Sequence, residues 1–109
     1  MIAKPLGKIT VATAGTRVAL SATPVKAYRV HFQAITGETG KIGIGDSTLN
    51  LATNAGMIHL LWPTGAGGGQ PPAFDIADES DSGNSIDLSK LYVSAQMAGE
   101  GCLVTYFQR

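Results

Sequence analysis

The sequence predicts an all-β fold, a single-domain antiparallel β-sandwich or jelly roll of about seven or eight short strands. Three observations support this prediction. Apolar and polar residues alternate with a period of two in several short runs, most regularly over residues 27–34. Turn-forming residues separate these runs at short intervals. No window carries an apolar stripe of helical period, and glycine or proline interrupts most candidate helices.

Length and composition indicate one core built from small aliphatic residues. The chain has 109 residues, of which 44% are hydrophobic, 6% aromatic and 15% charged. That charged fraction lies below the roughly 25% of ordinary soluble domains, so we expect other protein to cover part of the surface. Cys102 is the only cysteine, which excludes an intramolecular disulfide and a thiolate metal cluster.

The first half of the chain predicts four strands. Residues 8–14 alternate as a first strand, and residues 17–20 follow as a short partner. Residues 27–34 place Tyr28, Val30, Phe32 and Ala34 on one face and Arg29, His31 and Gln33 on the other. Residues 41–45 place isoleucines on one face and glycines on the other, where a neighbouring backbone can approach closely. A turn is predicted at Asp46, Ser47 and Thr48.

The second half predicts further strands and two loops. Residues 57–62 and 73–76 are the next strands, separated by a glycine-rich and proline-rich loop over residues 64–72. An acidic, serine-rich loop covers residues 78–85. Residues 86–107 are predicted to close the fold as a hairpin, with a turn at Ala98, Gly99, Glu100 and Gly101.

We expect residues 1–7 to form an N-terminal arm and residues 8–109 to form the β-sandwich domain. The arm lacks the apolar run of a signal peptide, and the longest apolar block, residues 57–62, is too short to span a membrane. These features predict synthesis in a cytoplasm and no membrane partner. The basic residues are sparse and do not interleave with the aromatic residues, so nucleic acid is not expected as a partner either.

Candidate catalytic and metal motifs fail on spacing, so we predict neither an enzyme nor a cofactor. Residues 37–41 lack the first glycine and the hydroxyl residue of a phosphate-binding loop. Residues 45–47 are similar to an esterase nucleophile block, but His31 and His59 lie in predicted strands and have no metal-ligand spacing. The acidic loop offers oxygen ligands for calcium but lacks the spacing of an EF-hand, which favours a solvated loop.

Trp62 is open to two interpretations. It lies at the start of the glycine-rich loop, where its ring could stack on a sugar. It could equally cap the core at the end of a strand, which is the interpretation we favour at this stage.

Several segments together resemble small virion proteins of tailed bacteriophages. The resemblance covers residues 8–107 and rests on the runs Lys8-Ile9-Thr10-Val11, Tyr28-Arg29-Val30-His31-Phe32-Gln33-Ala34 and Gly40-Lys41-Ile42-Gly43-Ile44-Gly45, and on residues 86–107. Proteins of this type are β-sandwich or jelly-roll domains. They coat the capsid as cement or decoration proteins, often as trimers, or belong to tails and fibres.

The resemblance implies a capsid cement protein that bridges capsomers on the virion surface, with the major capsid protein as partner and a homotrimer as its form. The alternative is a glycan-binding β-module of a tail or fibre, which would use Trp62, residues 65–70 and the acidic loop. For interaction with a neighbour we select residues of the arm and of the glycine-rich loop: Met1, Ile2, Lys4, Pro5, Trp62, Pro63, Gly67, Gly68 and Gln70.

Overall fold

Ten β-strands form most of the computed structural model, which describes residues 2–35, 37–62, 73–78 and 83–109. Three of the strands are only two residues long. One 3-10 turn, Leu88–Lys90, interrupts the strands near the C-terminus. The strands are β1 (Ile2–Thr10), β2 (Val18–Ala19), β3 (Lys26–Ala27), β4 (Arg29–Ala34), β5 (Ile42–Asn50), β6 (Ala55–Leu61), β7 (Ala73–Ala77), β8 (Ile86–Asp87), β9 (Tyr92–Ala95) and β10 (Gly101–Gln108).

The strands form two four-stranded antiparallel sheets and one short two-stranded ladder. The first sheet has the order β1-β10-β4-β7 and the second has the order β2-β9-β5-β6, while β3 pairs with β8. The predicted all-β sandwich is therefore confirmed. The strand number exceeds the predicted seven or eight because the predicted strand over residues 27–34 is divided into β3 and β4, and because the short β8 was not predicted as a separate strand.

The strand pairs are nested one inside another along the chain. β5 pairs with β6, β4 with β7, β3 with β8, β2 with β9 and β1 with β10, and every pair is antiparallel. The chain is therefore one long folded ribbon whose midpoint is the tip between β5 and β6. Curling of this ribbon adds the pairs β10 with β4 and β5 with β9, which is the winding of a jelly roll.

The core lies between the two sheets and is lined by the inward-facing residues of both. On β4, Val30, Phe32 and Ala34 are buried, which confirms the face predicted from the alternation of residues 29–34. Ile42 and Ile44 of β5 are fully buried in the same core. Their partners from the remaining elements are Val11, Leu20, Ala27, Leu61, Leu88, Leu91, Val93, Ala95, Cys102 and Val104.

The predicted closing hairpin was wrong. β9 belongs to the second sheet and β10 to the first, so the turn at residues 96–100 carries the chain from one sheet to the other. Val93 and Val104 consequently face the core from opposite sides. A hairpin within one sheet and a crossing between two sheets show the same alternation of apolar and polar residues. The crossing buries the apolar face of β9 against the apolar face of β10.

The predicted start of the first strand was also wrong. β1 begins at Ile2 rather than at Lys8, and it pairs with β10 instead of with residues 17–20. Pro5 is tolerated because β1 is the edge of its sheet. Gly7, with φ of 76°, takes up a bulge in the register beside Pro5. Most of the predicted arm is thus part of the first sheet, and the predicted boundary at residue 8 coincides with no break in the strand.

Two more segments differ from the prediction because the chain changes partners or bends within a strand. The predicted strand over residues 27–34 is divided at Tyr28, since β3 pairs with β8 while β4 pairs with β10 and β7. The predicted turn at Asp46 lies inside β5. Its side chain accepts hydrogen bonds from the backbone and the hydroxyl of Thr48, at 2.8 Å and 2.6 Å, so the turn chemistry produces a local irregularity in the strand.

The strands predicted at residues 57–62 and 73–76 are confirmed as β6 and β7 with shifted ends. The loop predicted over residues 64–72 lies outside the described residues. So does the middle of the acidic loop, residues 79–82.

Candidate interaction surfaces

The outer face of the first sheet presents a regular array of side chains. Its three rows each run straight across the four strands. The first row is Ala3, Phe107, Arg29 and Ala77, the second is Pro5, Thr105, His31 and Asp75, and the third is Lys8, Leu103, Gln33 and Ala73. On β4, β7 and β10, the residues of successive rows are two positions apart. Alternate residues of a strand point to the same side of the sheet, so all twelve positions lie on one side. We call this surface the first-sheet face.

An ion-paired cluster occupies one side of the first-sheet face. The Asp75 carboxylate accepts from Arg29 Nη2 at 2.5 Å and lies 2.5 Å from His31 Nδ1. Partial burial raises the pKa of Asp75, but the hydrogen bonds and charges of Arg29 and His31 outweigh it and hold that pKa below its usual value. The Arg29 guanidinium also lies 5.5 Å from the centre of the Phe107 ring. These contacts hold the charged side chains down on the sheet.

The rest of the first-sheet face mixes small, apolar and polar residues. Leu103, on the central strand β10, is 42% exposed between Lys8 and Gln33, and Ala3, Ala73 and Ala77 lie on the edge strands. The Arg29 and Asp75 charges compensate each other, and Lys8 forms an ion pair with Glu38 at 3.2 Å. The charges of the face are therefore largely compensated within the protein, and exposed apolar residues such as Leu103 lie among them, which are properties of surfaces that bind other proteins.

The outer face of the second sheet is covered by the tip of its own β5–β6 hairpin. Leu49 and Leu51 of this tip are buried but lie outside the core between the sheets. They pack over Gly43 and Gly45, whose missing side chains leave room for them. We call residues 46–56 the flap. The close backbone approach predicted at the glycines of residues 41–45 is confirmed.

A groove runs between the flap and residues 14–17, along the outer side of β9. It consists of two depressions of about 350 Å³ and 520 Å³ that share Gly15. The backbone N–H of Gly15 donates to Ala95 O at 2.9 Å, which anchors this wall to β9. The groove is lined by Ala14, Gly15, Thr16 and Arg17 on one side, by Ser47, Leu51 and Ala52 on the other, and by Lys41, Tyr92 and Gln96 at its base.

Lys41 connects the groove to Trp62. Its backbone exchanges hydrogen bonds with Gln96, and its Nζ lies 6.0 Å from the centre of the Trp62 ring. Trp62 is 56% exposed. The interpretation of Trp62 as a cap on the core was therefore wrong: the chain leaves β6 with this side chain pointing to solvent, and Leu61 fills the core position instead.

The four predicted interaction residues that the structure describes lie in two places. Ile2, Lys4 and Pro5 are exposed on β1, at one edge of the first sheet. Trp62 follows β6, which packs beside β7 at the other edge of that sheet. The remaining selected residues, Met1, Pro63, Gly67, Gly68 and Gln70, lie outside the described residues.

Sequence reasoning missed the partnership of Asp75 with Arg29 and His31, and it missed the groove. The alternation of residues 29–34 correctly identified Arg29 and His31 as outward-facing. No local signal connects them to Asp75, more than forty residues away, because that contact depends on β7 pairing with β4.

Neither histidine of the chain belongs to a metal cluster among the described residues. His59 stacks on Phe74 with ring centres 4.0 Å apart. In the part of the chain that the structure describes, no three His, Cys, Asp or Glu side chains are grouped as metal ligands. The same residues contain no helix of the length and apolarity required to cross a bilayer.

Comparisons with protein-family models, with curated proteins and with solved structures found no significant match to this chain.

Proposed function

We propose that this protein is a capsid decoration protein of the cement type, which binds the shell of a virion through the first-sheet face. The observation that carries the proposal is the array of twelve outward positions on the first sheet, which exposes Leu103 and whose charges are compensated by ion pairs. The low charged content of the whole chain, 15%, agrees with a surface that is covered by neighbours. The partner we propose is the major capsid protein at the junctions between capsomers.

The jelly-roll fold agrees with this proposal without deciding it. This winding occurs in viral capsid domains and also in lectins, and a fold alone does not define a function. The argument therefore depends on the surface. β1 is an edge strand of the first sheet, where Ile2 is 54% exposed.

The size of the face supports an oligomer. Stable interfaces take about 20–30 residues from each partner, whereas the first-sheet face supplies twelve. One copy would therefore bind weakly, and several copies held together would bind the shell much more tightly through multivalency. We propose a homotrimer as the form that binds. A cement protein of this kind stabilises the shell because it binds the assembled state and not the dissociated one.

The test replaces Leu103 by lysine in the virus that encodes the chain and measures the amount of this protein per purified virion by quantitative mass spectrometry. A charge buried in an interface is costly, so we expect Leu103→Lys to remove most of the protein from the particle. Met97→Lys is the matched control, because Met97 is similarly exposed, at 48%, but lies in the turn before β10.

Two results would overturn the proposal. In one, virions with Leu103→Lys retain as much of the protein as wild-type virions. In the other, the wild-type protein is present in only a few copies per particle, which indicates a tail or fibre component rather than a coat.

A further inference from the structure

We propose that the groove beside the flap binds a saccharide that carries a carboxylate group. This site lies on the second sheet and is independent of the contact proposed for the first-sheet face. Tyr92 of β9 lines the groove together with Lys41 and Gln96 at the strand ends, and its two sides are held by the Gly15 hydrogen bond to Ala95 and by the packing of the flap on Gly43 and Gly45. Both depressions are shallow and open to solvent, a form that suits a short saccharide lying along the surface.

The charge of the groove favours an anion. Arg17 and Lys41 line its two depressions. No carboxylate among the described residues forms an ion pair with either side chain. By contrast, Lys8, Lys26 and Arg29 each have an acidic partner. An exposed cation without a carboxylate partner is available to bind the acid group of a ligand.

The remaining lining groups suit a sugar. Ser47, Thr16 and Tyr92 carry hydroxyl groups that can form hydrogen bonds with sugar hydroxyls. The amide oxygen of Gln96 accepts from the Lys41 backbone N–H, which leaves its amide nitrogen to donate to a ligand. Trp62 adds an exposed aromatic ring next to Lys41, so a sugar ring can stack there while its carboxylate meets the lysine. Charge and stacking therefore act at neighbouring points.

The dimensions also favour a short saccharide over a nucleic acid. From Tyr92 to Gln96 the groove follows four residue steps of extended chain, or about 13 Å. Two cations are enough for a ligand with one or two acid groups, whereas a phosphate backbone is bound by a longer series of basic residues.

Trp62 is the only tryptophan of the chain and lies next to Lys41 of the groove, so its emission has a single source close to the proposed site. The purified protein is titrated with three acidic probes, which are trigalacturonic acid, 3′-sialyllactose and a heparin-derived tetrasaccharide. Maltotriose is the neutral control of similar size, and sodium acetate is the control for the carboxylate alone. We expect a saturable change in Trp62 emission with at least one carboxylated probe and none with maltotriose or acetate.

Substitutions then locate the binding. Lys41→Gln and Arg17→Gln are each expected to weaken binding of the best probe by about tenfold, as measured by calorimetry. Lys26→Gln, on β3 of the two-stranded ladder, serves as the control and should leave the affinity unchanged. The proposal is overturned if no acidic probe binds at millimolar concentration, if maltotriose binds equally well, or if Lys41→Gln binds as the wild type does.

Discussion

Gly45 lies directly beneath the backbone of Gly56, so that a methyl group added to Gly45 would overlap the Gly56 carbonyl oxygen. This contact is what allows the flap to lie flat on the second sheet. Gly56 has φ of 64°, a conformation that favours glycine, and it turns the chain at the start of β6. The flap wall of the groove therefore depends on two glycines in contact.

The substitution Gly45→Ala is expected to lower the free energy of unfolding by about 2–3 kcal/mol, because the clash is with backbone that cannot rotate away. Gly43→Ala meets the side chains of Leu51 and Met57 instead, which can move, and should cost about 1 kcal/mol. Urea unfolding measures both. A larger loss for Gly43→Ala than for Gly45→Ala would contradict this account of the flap.

Glu38 joins the loop before β5 to the C-terminal end of the turn that crosses between the sheets. Its carboxylate accepts from the Gly101 N–H at 2.9 Å and forms an ion pair with Lys8, which also donates to Gly99 O at 3.0 Å. Glu38→Ala leaves the buried Gly101 N–H without its acceptor and should cost about 2–3 kcal/mol of unfolding free energy. Glu38→Gln keeps an acceptor and should cost less.

The matched control for this prediction is Lys26→Met, which breaks the more exposed ion pair with Asp87 at 3.5 Å. Its effect on urea unfolding should be small. If Lys26→Met destabilises as much as Glu38→Ala, the role assigned to Glu38 is incorrect.

Glu100 predicts a dependence of stability on pH. Burial raises the pKa of Glu100, but hydrogen bonds from the Thr39 and Gly40 backbone and from the Thr39 hydroxyl, together with the Lys8 charge, lower it more. The folded-state pKa therefore lies below that of the unfolded chain. The stabilisation is complete above the unfolded value, about 4.3, and is lost as pH falls through the folded value.

Glu100→Gln should accordingly be less stable than the wild type at neutral pH, with the difference shrinking below about pH 4. Thermal unfolding followed by circular dichroism over this pH range measures the difference. A constant difference between the two proteins at every pH would show that the Glu100 charge plays no part.

Cys102 is expected to be unreactive in the folded protein. Burial, and then the charge of Glu38, raise the pKa of its thiol to about 12, so almost no thiolate is present near neutral pH. A thiol-specific disulfide reagent at about pH 8 should modify the native protein only as fast as it unfolds, and should modify the urea-unfolded chain at once. Rapid stoichiometric modification of the native protein would contradict the burial of β10.

Local patterns predicted the strands well and their partners poorly. The alternation of residues 29–34 identified the buried face of β4, and the glycines of β5 identified a close approach. The same kind of pattern could not assign β9 and β10 to different sheets, because both faces of a sandwich core show the same alternation.

Edge positions and distant pairs account for the other differences. Pro5 and Gly7 argue against a central strand, but they are acceptable in β1 because it lies at the edge of its sheet. The cluster of Asp75 with Arg29 and His31 exists only because β7 pairs with β4. That pairing follows from the nesting of the whole ribbon and not from any short segment.

The most direct test of the proposed function is the temperature at which virions release their DNA, measured with an intercalating dye on particles with and without this protein. A cement protein that binds through the first-sheet face predicts that particles lacking it release DNA at a lower temperature. Adding back the wild-type protein should restore the higher temperature, and adding Leu103→Lys should not. Release at the same temperature with and without the protein would contradict the proposal.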